Sequence, residues 1–283
     1  MMGWSNRQGT TLMPVSIPGV YTADRPFYWN KIDIGCRMTV IELESEKGSK
    51  PDLWVHSPVM LDGPLFQTLE QLGTVRHVVS PNYEHVKFAY QWANQYPLAN
   101  MWACPGMMAK HPEVRWSGEI SSNGSETWGN TIQSLHVDCE VNPFTGDPFF
   151  NEVIFFHSPS ATLMTTDLYW NYPKSDGVPN SNYVGVTGKQ DDFGDWELAP
   201  SVDKIPIGSS LWKQGMDKLF APFYMNFMVK DQPRIQEIAK YILEEWNPTT
   251  VIPAHGDVIR GRTLIQNVLR SHFSMEREKE KRL

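Results

Sequence analysis

At 283 residues, 41% hydrophobic and 20% charged, the chain has ordinary globular composition and enough length to bury a large core in one domain or two. A net charge of -7 and a pI near 5.6 supply no field that favours nucleic acid or an anionic membrane. Cys36, Cys104 and Cys139 are an odd count without CxxC spacing, which fits a reducing compartment and gives no support for a thiolate metal cage.

The N-terminus lacks the basic and apolar regions of a signal peptide, and no apolar stretch is long enough to span a bilayer. The expectation is a soluble intracellular protein, cytoplasmic or organellar. Residues 1–30 read as an irregular leader ending in Phe27-Tyr28-Trp29. Lys31 to Leu43 alternates as strands do, and Leu53 to His56 is a further short strand. Pro64 to Leu72 is a predicted helix ended by Gly73, and Val75 to Ser80 a strand. Val86 to Gln95 is helical again, then Leu98 to Ala103 is strand. This β-α-β-α-β rhythm argues an α/β layered domain.

From His111 to Thr131 the chain turns polar, and Ile132 to Val141 is the next strand. A hairpin follows: Glu152 to His157, a turn at Ser158-Pro159-Ser160, and Thr162 to Thr166. Both arms are almost continuously apolar, as strands covered on both faces are. Residues 172–210 form a loop-rich insertion, expected to be functional rather than a neutral connector. Two helices, Leu211 to Val229 and Pro233 to Trp246, precede a strand from Thr249 to Pro253. A last helix, Arg262 to Phe273, leads to a charged tail at 274–283. There is no internal repeat and no clean linker, so residues 1–283 are read as a single domain.

The hairpin delivers Asp167 at a strand end, a place for a ligand or a catalytic base, or equally for a residue that caps the chain before Leu168. His157 sits at the other end, roughly 20 Å of strand away, and cannot share a site with it. The residues that can are those entering the first arm, Gly146 to Glu152. Three strand ends carry ionisable residues: Ser80 to His85, Asp167, and His255 with Asp257. Two histidines and a carboxylate on such loops are donors that zinc, iron or manganese accept. Each alone reads more readily as a hydrogen-bonded structural residue; the joint order is more specific.

In that order the chain resembles the metallo-β-lactamase superfamily, over roughly Lys31 to His272. The superfamily's leading His-x-His-x-Asp-His reads Ser80-Pro81-Asn82-Tyr83-Glu84-His85 here, so both leading histidines are missing and Glu84 falls on the Asp position. Asp147 lies where a middle histidine would be. Asp167 matches the bridging Asp, and His255, in Pro253-Ala254-His255-Gly256, matches the last histidine. The segments LWVHSPV, VRHVVSPN and VIPAHGD are closer to a divergent, uncharacterised branch known only as a domain of unknown function. The resemblance implies a four-layer αββα sandwich. It also implies one divalent metal ion, zinc first with iron or manganese possible, at His85, Asp167, His255 and Glu84. Ser80, Asn82 and Asp147 would mark the emptied first metal site.

The function so implied is metal-assisted hydrolysis of a small ester-, thioester- or lactone-like substrate, with Asp167 or Glu84 orienting water or taking its proton. The rival is a non-catalytic binding or scaffold protein, with a protein partner and no metal, on a decayed site. Oxygen or redox chemistry at iron is a third reading. Neither nucleic acid binding nor membrane insertion is expected. His56 reads as structural or as a donor beside the site, and His136 as a remote candidate; His77 and His111 receive no role. The 11 tryptophans are scattered and read as core and loop anchors.

Overall fold

Alternation along each strand divides its side chains between two cores, and that division defines the layers. In the computed structural model, which describes residues 12–25, 27–29, 32–43, 48–121, 128, 131–172 and 207–275, the chain starts with β1 (Met13–Ile17) and β2 (Val20–Arg25). The short β3 (Tyr28–Trp29) and β4 (Ile32–Asp33) pair with each other, and β5 (Cys36–Leu43) and β6 (Asp52–His56) follow. Then come α1 (Gly63–Leu72), β7 (Thr74–Ser80), α2 (Ala89–Gln95), β8 (Asn100–Ala103), α3 (Met107–Lys110) and β9 (Gly118–Glu119). The strands form a sheet in the order β1-β2-β5-β6-β7-β8-β9, parallel from β6 to β9.

The second sheet, in sequence order, is β10 (Ile132–His136), β11 (Val153–His157), β12 (Thr162–Thr165), β13 (Thr250–Pro253) and β14 (Ile259–Arg260). Between β12 and β13 the described chain is helical from Ile207 to Met228. In that stretch α4 (Ile207–Gly215) and α5 (Ala221–Phe223) are continued by π-helical turns at Met216–Phe220 and Tyr224–Met228. The helix α6 (Gln232–Tyr241) precedes β13, and α7 (Arg262–His272) closes the described chain.

Leu53 and Val55 of β6 pack under Leu65 and Leu69 of α1 and Trp92 of α2, on the outer face of the first sheet. Trp54, between them in sequence, points the other way and meets Val153, Phe155, Met164 and Ile252 of the second sheet. The neighbours of those residues, Ile154, Phe156, Leu163 and Val251, face outward onto Ile235 and Ile238 of α6 and Ile265 and Leu269 of α7. Helix, sheet, sheet, helix is therefore the order of layers, as the resemblance implies. The β-α-β-α-β rhythm is also present, with the predicted hairpin at Val153–His157 and Thr162–Thr165.

The irregular leader needs correction. Met13 to Arg25 is a hairpin that turns at Gly19 (φ 71°) and pairs with β5 along its second arm. Pro14 and Pro18 disguise it, and Pro14 is tolerated because β1 is an edge strand. The helix predicted from Leu211 begins earlier, at Ile207; residues 173–206 of the expected insertion and 276–283 of the tail lie outside the described residues. No helix among the described residues is long and apolar enough to cross a membrane.

Among the histidines whose folded values lie below the ordinary one, buried His56 and partly buried His272 make the fold acid-sensitive. Burial, with a smaller contribution from the charge of His85, lowers His56 to about 3. Burial lowers His272 to about 4, although its Nε2–H donates to the Leu168 carbonyl at 2.6 Å. The unfolded histidines, near 6.5, take up protons first. The contribution of these two histidines is thus full above about pH 6.5 and is lost as pH falls toward the folded values, by about 1.4 kcal/mol per unit for each. The melting temperature should drop between pH 7 and pH 5, and His272→Gln should make the drop shallower; an unchanged slope would contradict this assignment.

Candidate metal centre

The loop after β7 is shaped by one amide. Asn82 is fully buried, and its Oδ1 accepts the backbone N–H groups of Glu84 (3.1 Å) and His85 (2.8 Å). Such a turn brings His85 back toward the sheet edge. The Nδ2 of the same side chain donates to Thr166 Oγ1 at 3.0 Å and to Asp167 Oδ2 at 2.6 Å. Backbone bonds from Tyr83 N to Phe150 O (2.9 Å) and from Val153 N to Pro81 O (2.8 Å) tie the loop to the second sheet.

Asp167 is held from beneath by Glu152, at the entrance to β11. The Glu152 carboxylate accepts three consecutive N–H groups, those of Thr166 (2.6 Å), Asp167 (2.7 Å) and Leu168 (2.7 Å). Burial and the nearby charge of Asp167 raise Glu152 to about 7, against the pull of these donors. Burial acts to raise Asp167 as well, but the two histidines outweigh it and hold that carboxyl far below the usual range.

The third arm comes from the turn after β13. β12 and β13 are parallel with Thr165 opposite Pro253, so Asp167 and His255 leave the sheet side by side. Buried Arg37 on the facing sheet donates to the carbonyls of Pro253 (3.3 Å) and Gly256, and its Nε lies 3.0 Å from Asp24 Oδ1. Gly256 has φ 98°, and a Cβ there would lie 2.2 Å from the Asn171 carbonyl, so both the conformation and the space demand glycine. His255 Nδ1 lies 2.7 Å from the Gly35 carbonyl, which can only accept. The proton is therefore on Nδ1, and Nε2 presents its lone pair.

Three donors converge: His85 Nε2 is 3.2 Å from His255 Nε2 and 3.3 Å from Asp167 Oδ2, while His255 Nε2 is 3.5 Å from Asp167 Oδ1. Ligands about 2.0–2.1 Å from a tetrahedral ion stand about 3.3 Å apart along each edge. The spacing fits a metal ion. Two imidazole nitrogens facing each other at this distance need either a hydrogen between them or a metal ion bound to both. Without metal, burial acts to lower His85, but the charge of Asp167 prevails and raises it well above its ordinary value. Its Nδ1 is 2.7 Å from Ser57 Oγ, a partner that can accept Nδ1–H when Nε2 serves as a ligand.

These three residues are the group of potential metal donors within 4.8 Å of one another among the described residues. Glu84 is not within that set but lines the same cavity, of about 560 Å³, which opens beside the three. Its carboxyl is raised by burial and by Asp167, against the effect of His85. Asp147 sits on an exposed turn and does not replace the middle histidine. His157 bonds Ser160 Oγ at the far end of the hairpin, as predicted, and His136 bonds Asn151 rather than entering the cavity. His56 is buried between Trp54 and Phe155, His77 bonds Trp102, and His111 pairs with Glu113.

A sequence profile described as a domain of unknown function, DUF4336, matches residues 19–180, more than half of the chain. The chain belongs to this family. No curated protein matches significantly. The DUF4336 chain is similar to the metallo-β-lactamase from Hirschia baltica (TM-score 0.52, 13% identity, covering 95% of this chain and 99% of that one). It is also similar to DIM-1 metallo-β-lactamase (0.50, 11%, 95% and 97%). A third likeness is to rubredoxin oxygen:oxidoreductase from Desulfovibrio gigas (0.53, 12%, 93% of this chain but 61% of that one). At such identities the likeness establishes the fold: this is a divergent family of the metallo-β-lactamase fold.

Within this DUF4336 site, the supports that sequence reasoning missed are Glu152, Ser57 and the amide of Asn82. Glu152 had a signal, because it ends the Gly146–Glu152 stretch that can reach Asp167. Asn82 had one too, standing two residues before Glu84 and three before His85 in an Asx-turn position. Glu152→Gln and Asn82→Ala should each weaken zinc binding about 10–100-fold in chelator competition, as loss of ligand-orienting partners does elsewhere. His157→Ala should leave it unchanged. Equal affinity in all three variants would refute the supporting roles.

Proposed function

We propose that the protein is a mononuclear metal-dependent hydrolase acting on an ester, thioester or lactone. The observation that carries this reading is the near-equal spacing of His85 Nε2, His255 Nε2 and the Asp167 carboxylate at 3.2–3.5 Å. Zinc fits two imidazoles and a carboxylate with a position left open, and iron or manganese also accepts these donors. When bound, such an ion supplies Lewis-acid polarisation of a carbonyl and a lowered pKa for water.

The protein's own groups do the rest. Asn82 and Glu152 fix Asp167, and the Gly35 carbonyl fixes the His255 tautomer. Glu84, in the cavity wall with its carboxyl shifted upward by desolvation and by Asp167, is placed to move a proton. Water adds its oxygen to the acyl carbon and gives a proton to Glu84. The bond from acyl carbon to the leaving oxygen or sulfur breaks, and the proton passes to that atom.

Asn82 favours a rebuilt one-ion site over a decayed one. Both ends of its amide are engaged, and Nδ2 bonds the Asp167 oxygen that a second ion would otherwise share. After zinc loading and dialysis, element analysis should find one ion per chain, abolished by His255→Ala or His85→Ala. Glu84→Gln should retain the ion and lose at least about 10²-fold in ester hydrolysis. Two tightly held ions would contradict the one-ion site; no ion after loading with zinc, iron or manganese would favour the non-catalytic binding protein.

A further inference from the structure

The cavity beside the three donors is much larger than an ester group, and most of its lining is apolar. Its charged and histidine lining residues are Asp167, His255, Glu84, His85 and Lys87. Most of the remaining lining comes from three separate segments whose lining side chains carry no charge: Phe27, Trp29, Ile32 and Ile34 from the β3–β4 region, Phe149 and Phe150 before β11, and Leu211, Trp212, Met216 and Phe220 of the following helix. Rings from different segments pack on one another, Trp29 on Trp212 at 5.1 Å between centroids and Phe150 on Phe220 at 6.1 Å. Such a wall is built by tertiary packing and is not one exposed side chain.

A volume of about 560 Å³ falls in the range of sites that enclose a whole small organic ligand. An acetyl group would occupy a minor part and leave water against aromatic walls, which is unfavourable. At roughly 30 Å³ for each water-sized unit, the cavity holds a polar head and an apolar portion of roughly eight to twelve carbons.

We propose that the ligand is an amphipathic acyl compound whose carbonyl end meets His85, Asp167 and His255 and whose aliphatic portion of about eight to twelve carbons lies along Phe150, Trp212, Met216 and Phe220. The inference rests on the hydrolase reading for which end reacts, but the selection of chain length is a property of the cavity alone.

The test is calorimetric titration of the zinc-loaded protein with acetate, hexanoate, octanoate and decanoate, the carboxylate products of the corresponding esters. Affinity should rise about fourfold per methylene, equivalent to ~0.8 kcal/mol, up to decanoate. Met216→Glu and Trp212→Ala, both at half-buried helix positions, should flatten the series while zinc content stays at the wild-type value. Equal binding of acetate and decanoate would overturn the proposal, as would a series that stays as steep in both variants. Turnover of acetyl and octanoyl esters is measured in parallel. Binding that depends on chain length without turnover of either ester would support the ligand class and refute hydrolysis. Turnover of both esters at equal kcat/KM, with no dependence of binding on length, would leave the hydrolase standing and refute the ligand class.

Discussion

The parallel pairing of β12 with β13, Thr165 opposite Pro253, is the constraint on which the site depends. It sends two chain segments out of one sheet edge at one level, so that Asp167 and His255 meet without any long-range adjustment. Strand pairing alone does not aim the side chains. Glu152 does this for Asp167, by collecting three successive N–H groups on one buried carboxylate. Arg37 does it for His255, by binding carbonyls on both sides of that residue from the facing sheet. Glu152 thus ties the ends of two strands of one sheet, and Arg37 ties the two sheets together, where the donors converge.

His85 completes the set from the first sheet, and Asn82 explains how it can do so without the histidines that might stand at Ser80 and Asn82. The amide spends its acceptor on the loop and its donor on Asp167. A neutral donor at 2.6 Å from that carboxylate supplies part of the stabilisation that a second cation would give. Under the proposed one-ion reading, the departures from the superfamily pattern at these positions are a different electrostatic solution, in which hydrogen bonds stand in for the second ion.

Much of this was legible in the sequence, for physical reasons that differ by residue. The α/β layering followed from the rhythm of strands and helices, one of them bounded by Pro64 and Gly73, while the four-layer order came with the resemblance to the metallo-β-lactamase superfamily. Asp167 and His255 stood out because each ends an apolar run, and the length of the hairpin removed His157 from the site. The leader was missed because proline and glycine in Met13–Arg25 mimic a loop, while pairing with β5 overrides local propensity. Asp147 was assigned by spacing alone, and spacing cannot tell an exposed turn from one that points inward. The supports were least legible of all. Glu152, Ser57 and Arg37 act through partners distant in sequence, and the bond between His255 and Gly35 spans 220 positions.

The most direct test of the central claim is X-ray absorption at the zinc edge of the zinc-loaded protein. The account predicts nitrogen and oxygen neighbours only, at about 2.0–2.1 Å, with the outer-shell scattering of two imidazoles. A zinc–zinc vector at about 3.5–4 Å would contradict the single-ion site, and a spectrum without imidazole scattering would remove His85 and His255 from it.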